Sequence, residues 1–194
     1  MTRMNAICVF CGSATGVRPV HRDNAARLGA LIAGAGIHLV FGGGHAGLMG
    51  ALADGALAAG GQVTGVIPGH LVRRELGHEG VGELRVVESM HGRKQTMFEL
   101  SDAFVALPGG YGTLDETFEM ITWKQLGLHD KPVVVVDSDG YWRRLDGLVD
   151  FMVAEGFVSQ QSRDLYTTVP SVDHVLPALA AMPAAVLETD PSRL

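Results

Sequence analysis

A glycine-rich turn near the middle of the chain has the features expected of a phosphate-binding site. The turn, PGGYG at residues 108–112, follows a short apolar run at residues 103–107 that predicts a buried strand. A helix is predicted to begin at Thr113, directly after the turn. Because the first N–H groups of a helix have no partner within it, an anion bound there gains several donors and the positive end of the helix dipole. The turn therefore predicts a site for phosphate.

Glu116 is the first candidate for chemistry at this turn, and its spacing from Thr113 allows two interpretations. Thr-x-x-Glu is the pattern of a capping box, in which both side chains only satisfy backbone N–H groups. The alternative is catalysis. A carboxylate and a bound phosphate repel each other, so a carboxylate is expected at such a site only where it has a function there. The residues alone leave both interpretations open.

Arg93 and Lys94 form the second candidate group, in the segment MHGRK at residues 90–94. A helix is predicted at residues 90–100, just before the buried strand. Two adjacent cations on a helix commonly form a solvated face, but the planar donor fork of an arginine also suits bidentate binding of carboxylates and phosphates. The sequence is compatible with both uses.

A second glycine-rich loop follows the predicted strand at residues 37–41 and contains Gly42, Gly44 and Gly47. This G-x-G-x-x-G spacing matches the dinucleotide fingerprint, which also requires an acidic residue roughly 20 positions further on. The chain has Pro-Gly-His at residues 68–70 instead, which argues against nicotinamide binding. We interpret the loop as a cradle for a mononucleotide phosphate or ribose, with tight helix–sheet packing as the alternative.

Length and charge limit the class of protein and of partner. With 194 residues, 47% of them hydrophobic, and no linker-like stretch, the chain is predicted to form one domain over residues 1–194, with a frayed tail at residues 190–194. A net charge of −6 argues against a nucleic acid polymer and favours a small-molecule partner. No segment has the pattern of a signal peptide or a membrane span, so a cytoplasmic location is expected.

The sequence predicts no metal site. Cys8 and Cys11 form a C-x-x-C, but Cys8 falls inside a predicted strand and no second pair completes four zinc ligands, so we interpret both as packed thiols. The irregular loop at residues 70–82 has no helix-spaced pair of ligands, and its acidic and histidine side chains are interpreted as solvated. Those side chains are His70, Glu75, His78 and Glu79.

Strand and helix patterns alternate along the chain. This alternation predicts an α/β fold, a single doubly wound Rossmann-like domain with a mostly parallel sheet flanked by helices. Loops that follow the strands of such a sheet converge on one crevice, so Ser13 and the two glycine-rich loops are expected to meet there. Strands are predicted at residues 6–10, 37–41, 62–67, 83–88, 103–107, 133–136 and 165–169, and helices at residues 19–35, 48–59, 90–100, 113–126 and 141–155.

PGGYGTLDE, preceded by MHGRK, resembles the LOG family of cytokinin riboside 5′-monophosphate phosphoribohydrolases, formerly described as lysine decarboxylase-like. The resemblance extends from CGS at residues 11–13 through FGGGHAGLMG at residues 41–50 to about residue 156. It implies hydrolysis of the N-glycosidic bond of a nucleoside 5′-monophosphate, without a cofactor and in a homodimer. It also implies that Arg93 and Glu116 are catalytic, with Glu116 stabilising an oxocarbenium-like transition state and accepting a proton from water.

The glycine loops and the resemblance together assign substrate-binding roles to a larger set of residues. Asp115 is a departure from the family pattern, which often has Glu there. Trp123 and Leu126 are bulky side chains on the helix after the turn and are candidates for covering a second subunit. The residues assigned to substrate binding are Ser13, Gly43, Gly44, Glu75, Met90, Lys94, Gly109, Gly110, Tyr111, Gly112, Thr113, Leu114, Asp115 and Thr122.

Two other functions are compatible with parts of the sequence. A pyridoxal-dependent decarboxylase needs a Schiff-base lysine, but none of Lys94, Lys124 and Lys131 follows a strand-end phosphate loop convincingly. A non-catalytic carrier of a phosphorylated cofactor, similar to the molybdenum-cofactor carriers, would need the same loops but not Arg93 and Glu116. Retention of that pair favours the enzyme, and the carrier is the alternative.

Overall fold

The computed structural model describes residues 4–72, 77–78 and 80–182, and these residues form one sheet with helices on both faces. The strands are β1 Ala6–Phe10, β2 His38–Phe41, β3 Val63–Pro68, β4 Glu83–Val87, β5 Ala103–Ala106, β6 Val133–Val136 and β7 Thr167–Val169. Their order across the sheet is β4-β3-β2-β1-β5-β6-β7, and every pairing is parallel. The predicted doubly wound α/β fold is confirmed, and the sheet is wholly parallel.

The helices follow the strands in the alternation that the sequence predicts. They are α1 Pro19–Gly34, α2 Gly47–Ala58, α3 Met90–Glu99, α4 Tyr111–Gln125, α5 Arg143–Ala154, the short α6 Gln160–Arg163, and α7 Val175–Ala181. Residues of α1, α2 and α7 pack on one face of the sheet, whereas residues of α3, α4 and α5 pack on the other. No described helix combines the length and the apolar character that crossing a membrane requires.

The central strands are apolar throughout because both of their faces are covered. In β1, Ile7 and Val9 belong to the core under α1 and α2, and Cys8 and Phe10 belong to the core under α3 and α4. All five residues of β1 are buried. Both ends of the strand are therefore fixed relative to the helices.

The strand order reverses between β1 and β5, and this reversal creates the crevice. From β1 the chain adds β2, β3 and β4 on one side, then returns to place β5 against the opposite edge of β1. The loops after β1 and β5 diverge toward opposite faces at this point, which is where ligands bind in open parallel sheets. The two loops are joined by a hydrogen bond from Gly12 N–H to Pro108 O, at 3.0 Å.

Two predicted helix starts are wrong, and both errors concern turns. α4 begins at Tyr111 and not at Thr113, because the backbone of Gly110 is extended and the helix follows it at once. α5 begins at Arg143 and not at Tyr141, because a 3₁₀ turn at Ser138–Gly140 comes first and Asp139 within it has a positive φ of 60°. Most other boundaries differ by one or two residues. The predicted tail at residues 190–194 lies outside the described residues.

Candidate active site

A pocket of about 180 Å³ opens beyond the carboxyl ends of β1 and β5. Seven of the residues assigned from the sequence line it, which are Ser13, Arg93, Gly110, Tyr111, Gly112, Thr113 and Glu116. Six further lining residues are outside the assigned set, although one of them, Gly42, belongs to the loop interpreted as a phosphate or ribose cradle. They are Val9, Phe10, Cys11, Gly12, Gly42 and Met49. The last two residues of β1, Val9 and Phe10, and the turn at residues 11–13 thus form one wall of the pocket.

The glycines of the turn at residues 108–112 have two different structural roles. A Cβ on Gly109 would lie 2.0 Å from Thr113 Oγ1 and 2.9 Å from Gly12 N, so this glycine permits the two loops to pack. A Cβ on Gly110 or Gly112 would meet no atom within 4 Å. Gly110 and Gly112 line the pocket, so the absence of their side chains leaves space for a ligand.

The first turn of α4 borders the pocket, and the first backbone N–H groups of a helix have no partner within it. The residue before the helix is Gly110, which has no side chain to act as a cap, and Thr113 lies inside the first turn. The capping-box interpretation of Thr113 and Glu116 is therefore wrong, because it requires Thr113 to precede the helix. Helical side chains tilt toward the amino end, so Glu116 is directed back along the helix toward this turn.

Glu116 belongs to the buried stripe of α4 and not to its solvated face. The buried residues of the helix are Thr113, Glu116, Thr117 and Met120, at the three- and four-residue spacing of one helix face. The neighbouring Thr117 is uncharged, and its hydroxyl donates to Thr113 O at 2.6 Å. Glu116 is 8% exposed, and it lines the pocket from this stripe.

Arg93 lines the pocket, and its guanidinium is hydrogen-bonded to strand β3 and to the loop after β2. It is 5% exposed, its Nε atom donates to Val66 O at 3.1 Å, and its Nη2 atom donates to Gly42 O at 2.7 Å. A Cβ on Gly42 would lie 2.1 Å from Nη2, so a glycine is required where the guanidinium passes. Arg93 therefore fixes the ends of β2 and β3 as well as carrying a buried positive charge.

The buried charges of Arg93 and Glu116 face each other. Arg93 Nη1 is 3.9 Å from Glu116 Oε1, which is within ion-pair range but too long for a direct hydrogen bond between these two atoms. Because both side chains are buried, their opposite charges attract more strongly at this distance than they would in solvent. The arrangement presents one carboxylate to the pocket and holds a fixed cation beside it.

Lys94 connects α3 to α4 and does not line the pocket. Its Nζ atom is 3.1 Å from Asp115 Oδ2 and 3.1 Å from Glu119 Oε2. Burial lowers the pKa of Lys94, but the hydrogen bonds and charges of the two carboxylates outweigh it and raise the pKa above its ordinary value. The geometry makes Lys94 and Asp115 supports for the relative position of the two helices.

The remaining assigned residues that the structure describes lie outside the described pocket wall. Gly43 packs against Ile67, and Gly44 pairs with Gly77 in an isolated antiparallel bridge. Met90 is 38% exposed at the first position of α3, whereas Met97 is core. Leu114 packs against the core under α3 and α4, and Thr122 is exposed on α4. Glu75 lies outside the described residues.

The two cysteines are free, buried thiols, as the sequence predicts. Burial raises the pKa of Cys11 well above its ordinary value, and the negative charge of Glu116 raises it further. The same two causes raise the pKa of Cys8. Cys11 therefore presents a neutral thiol to the pocket and does not act as a thiolate nucleophile.

Residues 49–179 match the family model described as "Possible lysine decarboxylase". The probable cytokinin riboside 5′-monophosphate phosphoribohydrolase LOGL1 of Oryza sativa subsp. japonica is 48% identical over 174 residues, which cover 90% of this chain and 78% of the relative. The cytokinin riboside 5′-monophosphate phosphoribohydrolase LOG3 of Arabidopsis thaliana is 46% identical over 178 residues, which cover 92% and 83%.

Solved structures with this fold include two molybdenum-cofactor proteins. The carrier protein of Chlamydomonas reinhardtii has a TM-score of 0.71 and 24% sequence identity, over 92% of this chain and 97% of that chain. The molybdenum cofactor binding protein of Rippkaea orientalis has a TM-score of 0.69 and 24% identity, over 93% and 98%. At these identities the likeness concerns the fold alone.

Proposed function

Because the chain belongs to the LOG family of cytokinin riboside 5′-monophosphate phosphoribohydrolases, we propose that it hydrolyses the N-glycosidic bond of nucleoside 5′-monophosphates. The substrates are adenosine 5′-monophosphates, with or without a group on N6. The products are the free base, a cytokinin or adenine, and ribose 5-phosphate. The observation that carries the proposal is the buried pair Arg93 and Glu116 in a pocket that ends at the amino terminus of α4.

The 5′-phosphate binds at the first turn of α4. Backbone N–H groups there lack helical partners, the helix dipole favours an anion, and Gly110 and Gly112 leave the backbone accessible. Glu116 lies on the same helix one turn further on, so a substrate anchored by its phosphate brings its sugar toward the carboxylate. Binding energy from this remote group orients the reacting centre.

Glu116 supplies the charge and the base that the reaction requires. As the C1′–N bond breaks, positive charge develops on the sugar and the nearby carboxylate stabilises it. Glu116 also accepts a proton from the attacking water while the water oxygen bonds to C1′. The base departs with the electron pair of the broken bond and takes up a proton, and Glu116 releases the proton that it accepted, so the carboxylate is regenerated. Arg93 orients Glu116 and holds a fixed positive charge 3.9 Å from its carboxylate.

The carrier function is the less supported alternative. The carriers share the fold at 24% identity, and the loops alone would suffice for binding a phosphorylated cofactor. A buried carboxylate beside an anion-binding helix terminus weakens binding of a phosphate, which is a cost without benefit in a carrier. In a hydrolase the same carboxylate has a catalytic use.

A homodimer completes the proposal. Leu126 and Leu128, just beyond the end of α4, are 51% and 60% exposed, and a subunit interface would cover such exposed apolar side chains. Trp123 packs against Phe98 with ring centroids 5.2 Å apart, so it supports this surface from inside. Because α4 also carries Glu116, subunit contact would restrain the catalytic helix.

The decisive experiment compares AMP, an N6-modified AMP and adenosine at equal concentration, measuring free base and ribose 5-phosphate. We expect base release from both monophosphates and turnover of adenosine lower by at least about 10²-fold, because the nucleoside lacks the anchored phosphate. Comparable turnover of adenosine would contradict the phosphate-binding role of α4. Tight binding of the monophosphates without any base release would favour the carrier.

A further inference from the structure

Three side chains from distant parts of the sequence converge outside the pocket. His45 lies in the loop after β2, Asp54 lies on α2, and His78 follows the undescribed stretch at residues 73–76. One ligand-capable atom of each lies within 4.8 Å of those of the other two. None of the three belongs to the described wall of the pocket, so the cluster is separate from the candidate active site.

His78 is the fixed member of the cluster. It is 4% exposed, its backbone N–H donates to Gly43 O at 3.0 Å, and the adjacent Gly77 pairs with Gly44. Its Nε2 atom is 3.0 Å from Asp54 Oδ1, and its ring meets the His45 ring edge-on with centroids 4.7 Å apart. The buried imidazole therefore points outward at a carboxylate and a second imidazole.

We propose that His45, Asp54 and His78 bind a divalent transition-metal ion of the zinc class. Two imidazoles with one carboxylate suit zinc and its neighbours, whereas magnesium and calcium prefer sites made wholly of oxygen ligands. Zn–N and Zn–O bonds of about 2.0–2.2 Å in a tetrahedral site place ligand atoms roughly 3.3 Å apart. His78 Nε2 and Asp54 Oδ1 are 3.0 Å apart, which is close to this separation, and the exposed His45 ring has space to move toward them.

Metal binding would change the hydrogen bonding of one ring. His78 Nδ1 accepts the Gly80 N–H at 3.2 Å, so the ring proton lies on Nε2 and is directed at Asp54. Coordination through Nε2 moves that proton to Nδ1, and the weak contact with Gly80 is lost. The exchange gives the site a local signature at the Gly80 amide, independent of any effect on catalysis.

The ion would tie the segment around His78 to the loop after β2. Two backbone contacts already connect these parts, and the same loop provides Gly42 O for Arg93. An ion that binds only the folded chain adds stability by mass action. Because the proposed hydrolysis uses other residues, chelation should lower the thermal unfolding midpoint while activity is retained.

The test uses the full chain without a histidine tag, stripped of metal by chelation and dialysis. Zinc is titrated by calorimetry, and cobalt is added as a probe whose visible absorption reports coordination geometry. We expect one ion per chain, and an affinity lowered by more than about tenfold in His45→Asn and in Asp54→Asn, since losing even a residue that only hydrogen-bonds to a metal ligand lowers metal affinity about 10- to 100-fold. Both substitutions are at exposed positions and therefore spare the fold.

His174→Asn is the matched control, because His174 is an exposed histidine beside the exposed Asp173 but far along the chain from the cluster. It should bind zinc and cobalt as the wild type does. Equal affinity in wild type, His45→Asn and Asp54→Asn would overturn the proposal and assign the ion to another site. Absence of one-to-one binding at a zinc concentration of about 100 μM would also overturn it, and the cluster would then be a structural hydrogen bond between His78 and Asp54.

Discussion

Arg93 Nη1 lies 3.9 Å from Glu116 Oε1, so two opposite charges of the pocket face each other from different helices. The other guanidinium nitrogens Nε and Nη2 are bonded to the backbone carbonyls of Val66 and Gly42. Arg93 therefore has a structural role, because it binds these two carbonyls, in addition to facing Glu116. Removing the charge of Glu116 should affect the reaction, whereas removing Arg93 should affect both the reaction and the stability of the fold.

Glu116→Gln should leave the fold intact and abolish most of the turnover. The amide keeps the shape but neither accepts a proton nor carries negative charge. Turnover of AMP should fall by about 10²- to 10⁴-fold, while affinity for the monophosphate stays the same or improves. Measuring turnover, AMP affinity and the free energy of unfolding on the same preparation separates these effects.

The control for this substitution is Glu155→Gln, which makes the same chemical change at an exposed position after α5. It should match the wild type in all three measurements. A folded Glu116→Gln protein with near-native turnover would end the catalytic assignment.

Arg93→Ala should lower stability as well as turnover. It leaves two buried carbonyls without their charged donor and Glu116 without its facing cation, and we expect a loss of about 2–4 kcal/mol in the free energy of unfolding. Arg22→Ala, at an exposed position on α1, serves as the control. If the two residues act as a unit, the double variant with Glu116→Gln should lose less turnover than the sum of the single losses. An Arg93→Ala protein as stable as wild type would show that the carbonyl contacts contribute little.

Gly112→Ala should separate stability from substrate binding. Its Cβ would meet no protein atom within 4 Å, and alanine is favoured over glycine in a helix by roughly 0.5–1 kcal/mol. The added methyl group nevertheless occupies space beside the phosphate, so KM for AMP should rise while thermal stability is kept or increased. Gly147→Ala is the control, because this α5 glycine is equally unobstructed and remote from the turn. An unchanged KM in Gly112→Ala would place the phosphate elsewhere.

Hydrophobic periodicity and the positions of the glycines between the periodic segments were sufficient to predict the α/β fold. Valine runs such as Val133–Val136 are buried on both faces, and this is why such a run predicts a parallel strand. The turns after β1 and β5 meet because parallel strands end at the same edge of a sheet. The sequence alone therefore predicts that Ser13 and Gly110 lie in one pocket, and both line it.

What the sequence did not predict depends on contacts between residues far apart in the chain. Gly42 was assigned to a phosphate cradle, but a side chain there is excluded by the Arg93 guanidinium, 51 positions away. His78 was considered together with its sequence neighbours, whereas its structural neighbours are Asp54 and His45. Local spacing carries no signal for either contact, because β2, α2 and the loop after β3 meet only once the sheet has formed.

The leucines at the end of α4 should maintain a dimer. We expect sedimentation velocity to show a dimer at micromolar concentration, and the double variant Leu126→Lys, Leu128→Lys to sediment as a monomer, because two charges replace exposed apolar surface. Leu148→Lys, which changes a similarly exposed leucine on α5, is the control and should remain dimeric. A wild-type monomer with full activity would contradict the dimer.

His129 should make the fold sensitive to acid. Burial lowers the pKa of His129 to about 4, although the hydrogen bond to Met120 O acts in the opposite direction. The ring is held in its neutral form, with Nε2 donating to Met120 O at 2.9 Å and Nδ1 accepting the Lys131 N–H at 3.0 Å. Between about pH 6.5 and pH 4 the unfolded chain binds a proton at this histidine that the folded chain does not, so stability falls as the pH decreases through that window.

The loss attributable to His129 has an upper limit of about 3.5 kcal/mol, since the pKa is lowered from 6.5 to about 4 and one unit corresponds to about 1.4 kcal/mol. His129→Gln removes the titrating group and should have a lower free energy of unfolding at pH 7, yet lose less of it on acidification than the wild type does. His21 and His38, whose pKa values burial also lowers, are present in both proteins and cancel in the comparison. Urea unfolding at pH 7, 6, 5 and 4 gives the two curves. Parallel curves would mean that His129 is protonated in the folded protein over this range, and the neutral, doubly bonded ring would have to be abandoned.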